Sequence, residues 1–317
     1  MAVDVKARSG AAHARRAPKA KWTSRFDRAG SPYLYIAPFF VLFAIFGLFP
    51  LVYTAWVSLH DWQLAGDSTF VGLDNYAALF ADPDFWNSVV NTVGMLVLAG
   101  VPQLLIALVL ASLLNRPLRG LTFLRMGVLA PMITSIAAVA IVFSQLFSRD
   151  AGLANWVVGL FGVGPIDWQA DKWSSWTAIA TMVDWRWTGY NALIYLAAMQ
   201  SIPRDVYEAA ELDGASKARQ FWQITIPMIK PAVIFTVIMS TIGGMQLFTE
   251  PLLFGQGKLS GGSLGQFQTT AMYMFKKAFE DFDYGYGSAV AWMIFVLIVL
   301  IALVNFLISR RMNGVDK

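Results

Sequence analysis

The chain has 317 residues, 57% of them apolar and only 14% charged, with a mean hydropathy of +0.54. Soluble domains carry about 25% charged residues, so this composition is that of a membrane protein. There is no cysteine, and the two histidines are His13 and His60. That excludes disulfides, thiolate metal sites and a histidine-built metal centre, and both histidines read as solvent-exposed groups without a special role.

Residues 1–32 hold eight Lys/Arg against two acids, Asp4 and Asp27. They show no hydrophobic period, so the segment reads as a basic, disordered tail. Beside a membrane span, such a tail is held near anionic lipid on the cytoplasmic side. It is not a secretory signal, because the apolar run that follows is too long and has no small-residue cleavage site.

A helix needs about 20 apolar residues to cross a bilayer. Six segments are predicted to do so: 34–58, 88–114, 122–147, 174–200, 232–254 and 287–309. The fourth is the least apolar, since it contains Asp184 and Arg186. With the N-terminus inside, the inner segments carry 18 Lys/Arg and the outer loops five, with Arg186 within a span. Basic residues collect on the cytoplasmic side, so both termini are expected there. The outer segment 60–87 carries Asp61, Asp67, Asp74, Asp82 and Asp84 and no Lys/Arg. Residues 148–173 and 255–286 read as outer loops with short amphipathic helices. No internal repeat or second domain is visible.

Two spans carry polar groups that lipid would penalise. The fourth reads TMVDWRWTGYNALIYL. Asp184 and Arg186 are two apart and point to different faces of a helix, so they face protein or a watery cavity rather than necessarily each other. Trp185, Trp187 and Tyr190 read either as an interfacial aromatic belt or as platforms for the apolar faces of sugar rings. The fifth reads MSTIGGMQLFTEPLLF. Gly243-Gly244 thins it, for close packing or a cavity. In a continuous helix, Gln246 and Glu250 share one face.

Between these spans lies a charged island, Glu208–Pro231, EAAELDGASKARQFWQITIPMIKP. Glu208–Leu212 favours helix, Asp213-Gly214 a turn, and Ser216–Ile226 a second helix that Pro227 and Pro231 end. This resembles the EAA loop of permease subunits in ATP-binding-cassette importers, on Glu208-Ala209-Ala210, Asp213-Gly214-Ala215, Phe221, Ile224, Pro227 and Pro231. The stretch FVGLDNYAALFADPDFWNSVVNT likewise resembles the segment before the second span of sugar permeases.

The resemblance covers about residues 30–310 and implies an all-α type I importer permease fold with six transmembrane helices. It implies a basic tail over 1–32, a permease domain over 33–310 with the loop at 204–231, and a cytoplasmic tail over 311–317. Glu208, Ala209, Ala210, Asp213, Gly214 and Ala215 would dock into a separate ATPase, with Glu208 as the polar anchor.

In maltose-type permeases the sugar sits between two permease subunits. The matching positions before the loop are Arg186, Trp187 and Tyr190, and those after it are Met239, Ile242, Gly243 and Gln246. Only the aromatic ring at Tyr190 and the amide at Gln246 match that family in chemistry. The implied partners are a second permease, two ATPase copies, an external solute-binding protein, a carbohydrate and membrane lipid; nucleic acid is not among them. The implied location is the bacterial inner membrane.

The chain has no phosphate-binding loop. Its Gly257-Lys258 lacks the G-x-x-x-x-G-K-[ST] spacing, so it is expected to perform no bond chemistry and to need no cofactor. Overall it is most similar to permeases for oligosaccharides of the cello-oligosaccharide kind. A glycerol-phosphate permease is the near rival. An ion-coupled secondary transporter would leave the loop unexplained, and a non-transport membrane scaffold would survive Gln246→Leu and Tyr190→Ala.

Overall fold

The computed structural model describes residues 31–62, 68–117 and 119–313. The basic tail, apart from Ser31 and Pro32, lies outside them, as do His13 and Asp67. The first helical segment comprises α1 (Ser31–Phe43), a π-helical turn (Ala44–Leu48) and α2 (Phe49–Val57), and is apolar all round.

From Thr54 onward the chain forms a second, larger unit. A short hairpin pairs β1 (His60–Asp61) with β2 (Thr69–Phe70), His60 opposite Phe70. His60 is not exposed, as its sequence position suggested. It is 8% exposed, its Nδ1 donates to the Trp56 carbonyl at 2.7 Å, and its ring lies against Trp56.

After α3 (Asp74–Ala81), Asp82 caps α4 (Pro83–Leu114), with Pro83 in the first turn, where its missing N–H costs nothing. The helices α5 (Leu121–Ile133) and α6 (Ile136–Leu146) meet at 91°. The third predicted span is therefore broken rather than continuous. Pro131 lacks the donor that continues a helix, and the Thr134 hydroxyl bonds the Ala130 carbonyl at 2.8 Å. Thr134 and Ser135 then run extended.

The short α7 (Leu153–Gly159) precedes α8 (Lys172–Gln200), which Asp171 caps by accepting from the Trp173 and Ser174 amides. Then follow α9 (Arg204–Leu212), α10 (Lys217–Gln220), a π-helical turn (Phe221–Thr225) and α11 (Ile226–Met228). The helix α12 (Lys230–Met245) leaves this segment at 65°. The second loop helix ends between Pro227 and Pro231 as expected: it runs to Met228, the bend falls at Ile229, and Pro231 sits in the first turn of α12.

The fifth predicted span is also interrupted, because α12 stops at Met245 and α13 (Thr249–Phe254) starts afresh. Two glycines weaken the end of α12. After α14 (Thr270–Phe275) and a π-helical turn (Lys276–Glu280), α15 (Tyr284–Asn313) runs beyond the predicted span end and into the predicted tail.

Among the described residues, three helical stretches are long and apolar enough to cross a membrane: Tyr33–Val57, Pro83–Leu114 and Tyr284–Leu307. The two bent pairs, Leu121–Ile133 with Ile136–Leu146 and Lys217–Met228 with Lys230–Met245, pass the same test together. At 29 residues, α8 is about 43 Å long, but its many polar and aromatic residues together with its charges make it too weakly apolar for that set.

The helix α8 forms the spine of the larger unit. Below, Ala192, Tyr195, Leu196 and Met199 pack with Ala107 and Ala111 of α4. Above, Trp176 and Ile179 pack with Met95 and Phe267. Gly94 lets the Trp176 ring lie on α4, and Gly189 lets α8 touch the Val128 main chain of α5.

Candidate functional site

Two features stand out on this frame: a helical knob between α8 and α12, and the polar groups beside the break in the fifth predicted span.

The knob is α9, a tight turn and α10. Gly214 takes φ +75°, a conformation only glycine adopts without cost. The Gly214 amide bonds the Glu211 carbonyl at 3.0 Å and the Ala215 amide bonds the Ala210 carbonyl at 2.9 Å. This pair of bonds is the Schellman closure of a helix end. Ser216 then caps α10 by accepting from the Arg219 amide at 3.3 Å, and Gln220 donates to the Ala215 carbonyl at 3.1 Å. Lys217 pairs with Glu211 across the turn and holds its carboxyl below the ordinary value, chiefly through their hydrogen bond.

The inner face is pinned by the Tyr207 hydroxyl, 2.8 Å from Thr225 Oγ1, and by Tyr207 and Phe221 packing against the core around Ile229. The outer face presents Glu208, Ala209, Leu212 and Asp213, while Ala210 and Ala215 are half-buried. The predicted loop residues therefore form one rigid element. Sequence reasoning missed Leu212, which is 90% exposed at the tip. The signal was its phase: Val206, Tyr207 and Ala210 take the inward face of α9, which turns Leu212 outward.

Of the residues predicted to meet substrate, Arg186, Trp187 and Tyr190 form one cluster on α8. The Arg186 guanidinium carbon lies 5.9 Å from the centre of the Trp187 ring, and the Trp187 and Tyr190 rings meet edge-on at 6.2 Å. Arg186 and Trp187 are half-buried, and Tyr190 is exposed. On α12, Met239 and Gly243 are exposed and Ile242 is half-buried.

Gln246 does not continue the helix. It is the exposed residue that ends α12, so it does not share a helix face with Glu250 as the unbroken reading required. The two glycines also divide their roles. A Cβ at Gly244 would overlap the Leu96 side chain of α4, whereas one at Gly243 would meet nothing within 4 Å.

The helices α8 and α12 pack together directly, tied by the Tyr195 hydroxyl 2.6 Å from Thr236 Oγ1. No hydrogen bond, ion pair or ring contact among the described residues joins the α8 cluster to the four α12 residues.

Residues 76–314 match the family described as the binding-protein-dependent transport system inner membrane component. The chain belongs to this family. Among its relatives, the lactose transport system permease LacF of Rhizobium radiobacter is 34% identical, over 88% of this chain and 94% of LacF. The arabinooligosaccharides transport system permease AraP of Halalkalibacterium halodurans is 31% identical, over 90% of each chain.

A chain of a bacterial alginate ABC transporter, solved with an alginate-pentasaccharide-bound periplasmic protein, superposes with a TM-score of 0.77. It is 19% identical, over 92% of this chain and 98% of that one. The family member described here thus has the type I ABC importer permease fold.

Proposed function

We propose that the chain is one of two membrane subunits of an ATP-driven importer that carries a carbohydrate, an oligosaccharide above other sugars. The observation that carries this is the knob: a capped, internally bonded helix–turn–helix, set between α8 and α12, with an exposed carboxylate and an exposed leucine at its tip. An element so tied can pass on a rigid-body movement. Glu208 offers a carboxylate for a charge-assisted bond to an arginine of a separate ATPase, and Leu212 enters its cleft. The small side chains of Ala209, Ala210 and Ala215, with Asp213-Gly214 at the turn, keep the knob slim.

In this reading α8 completes a set of six spans, the basic ends of the chain lie in the cytoplasm, and the remaining partners are a second permease and an external solute-binding protein. Support for a carbohydrate comes from two sides. The relatives' names refer to lactose and arabinooligosaccharides, and the aromatic rings of Trp187 and Tyr190 on α8, with the exposed Gln246 amide at the end of α12, suit a polyhydroxylated guest. Trp187, Tyr190, Met239, Ile242, Gly243 and Gln246 line its path, with Arg186 beside them. A phosphate guest would want several cations there, and Arg186 is alone among the described residues of that group.

The test is reconstitution of the chain with its neighbouring permease, ATPase and binding protein, followed by a screen of sugars for faster ATP hydrolysis. Stimulation by an oligosaccharide is expected. Stimulation by a phosphate ester or a peptide alone would discard the carbohydrate.

A further inference from the structure

Three ionisable side chains lie on the broken fifth predicted span and the helix it packs on: Asp184 and Arg186 on α8, and Glu250 in the first turn of α13. Charges at such depth are costly and usually pair with one another. Here no ion pair within 4 Å joins any two of them among the described residues. Asp184 Oδ1 and Arg186 Nε and Nη1 are buried with no hydrogen-bond partner. Glu250 is 7% exposed.

The break after α12 puts Glu250 there. The helix α13 packs on both α6 and α8, and its Leu253 rests on the cluster of Val139, Ala140, Phe143 and Met182. The restarted helix thereby carries Glu250 to the stretch of α8 that bears Arg186, one short segment beyond the exposed Gln246.

A guanidinium only donates hydrogen bonds, a carboxylate only accepts them, and a hydroxyl does both. Two such groups on helices packed together, with no ion pair between them, match a guest whose hydroxyls accept from one and donate to the other. An anionic group would satisfy Arg186 and leave Glu250 opposed.

We propose that Glu250 is a specificity-determining residue that, together with Arg186, brackets hydroxyl groups of the transported molecule. This rests on the carbohydrate reading above, and adds a residue that the resemblance to sugar permeases did not supply.

The experiment uses the whole importer in proteoliposomes with labelled lactose, cellobiose and maltose, and continues with whichever sugar is carried fastest. ATP-driven uptake is measured for the wild type, Glu250→Gln and Glu250→Asp, with that sugar and a series of its deoxy analogues. Glu250→Gln is expected to raise KM about tenfold while the maximal rate stays within about twofold, as for loss of one charged hydrogen bond. For at least one deoxy analogue, the penalty seen in the wild type is expected to shrink towards none in Glu250→Gln, because contacting groups are not additive.

An unchanged KM, or deoxy penalties equal in wild type and variant, overturns the proposal, and so does failure of both variants to assemble with their partners, which would make Glu250 a packing residue. A wild-type importer that carries none of the sugars instead removes the carbohydrate reading, and this inference with it.

Discussion

Gly189 of α8 lies directly against the main-chain carbonyl of Val128 in α5, and a Cβ at 189 would overlap that oxygen. The obstacle is backbone, with no flexible side chain to give way. Gly189→Ala is expected to cost about 1–3 kcal/mol through overpacking, read as a lower melting temperature and yield in detergent. Gly243→Ala is the contrast, since it meets nothing within 4 Å. It is expected to keep the melting temperature and to lower uptake alone.

Asp82 ties the start of α4 to the far end of the chain. Its carboxylate accepts from the Asp84 amide at 2.8 Å, from the Tyr286 hydroxyl at 2.9 Å and from the Tyr273 hydroxyl. Burial alone would raise its pKa, but these bonds outweigh that and hold it below the ordinary 3.8. Burial and the nearby Asp82 push the Tyr273 phenol up, keeping it a donor.

A carboxyl lowered in the folded state stabilises fully above its unfolded pKa, and that stabilisation is lost as pH falls through the folded value. Asp82→Asn is expected to cost about 1–2 kcal/mol at neutral pH, and the gap to wild type should close on acidification below the ordinary value of 3.8. Melting curves across pH check this, and a gap of constant size would refute it.

Asn91 is fully buried in α4, and its amide donates to the Gly265 carbonyl at 2.7 Å and the Gln268 carbonyl at 3.0 Å. Asn91→Leu keeps the branched shape and removes the side-chain donor to the Gln268 carbonyl, while the Gly265 carbonyl keeps Asn87 and the Gln268 amide. It is expected to destabilise by about 1–3 kcal/mol, with protease cleavage appearing first in the loop around Gly265.

Glu208 is exposed on the outer face of the knob, so reversing its charge leaves the packing of α9 untouched. Glu208→Lys is expected to keep the melting temperature and to reduce ATPase co-purification about tenfold or more, as for a severed charge pair at an interface. Gly214→Val is expected to lose coupling as well, but by distorting the knob, since φ +75° is strained for a β-branched residue. Normal transport in Glu208→Lys would sink the coupling role.

Much of this protein was legible as a string of residues because the signals are local. Long apolar runs specify helices such as α4 and α15. The helical pattern from Ser216 announces the second loop helix, and Asp213-Gly214 announces the turn at the tip of the knob, whereas the caps Asp82 and Asp171 show only in the structure. The breaks were less legible. Pro131 and the Gly243-Gly244 pair are visible in the sequence, yet proline and glycine are tolerated inside many membrane helices, so their presence does not say whether the chain bends.

By itself the sequence determined that this is a membrane protein, where its principal helices fall, and that a capped helix–turn–helix stands between two of them. Those are properties of neighbouring residues and of apolar length. Only the tertiary structure decided that Gly244 packs against Leu96 while Gly243 stays open, that His60 is buried on Trp56, and that the helix carrying Glu250 packs on α8 beside Met182. Each depends on which helix lies alongside which and at what angle, and residue spacing along one chain does not contain that angle once the helix is broken.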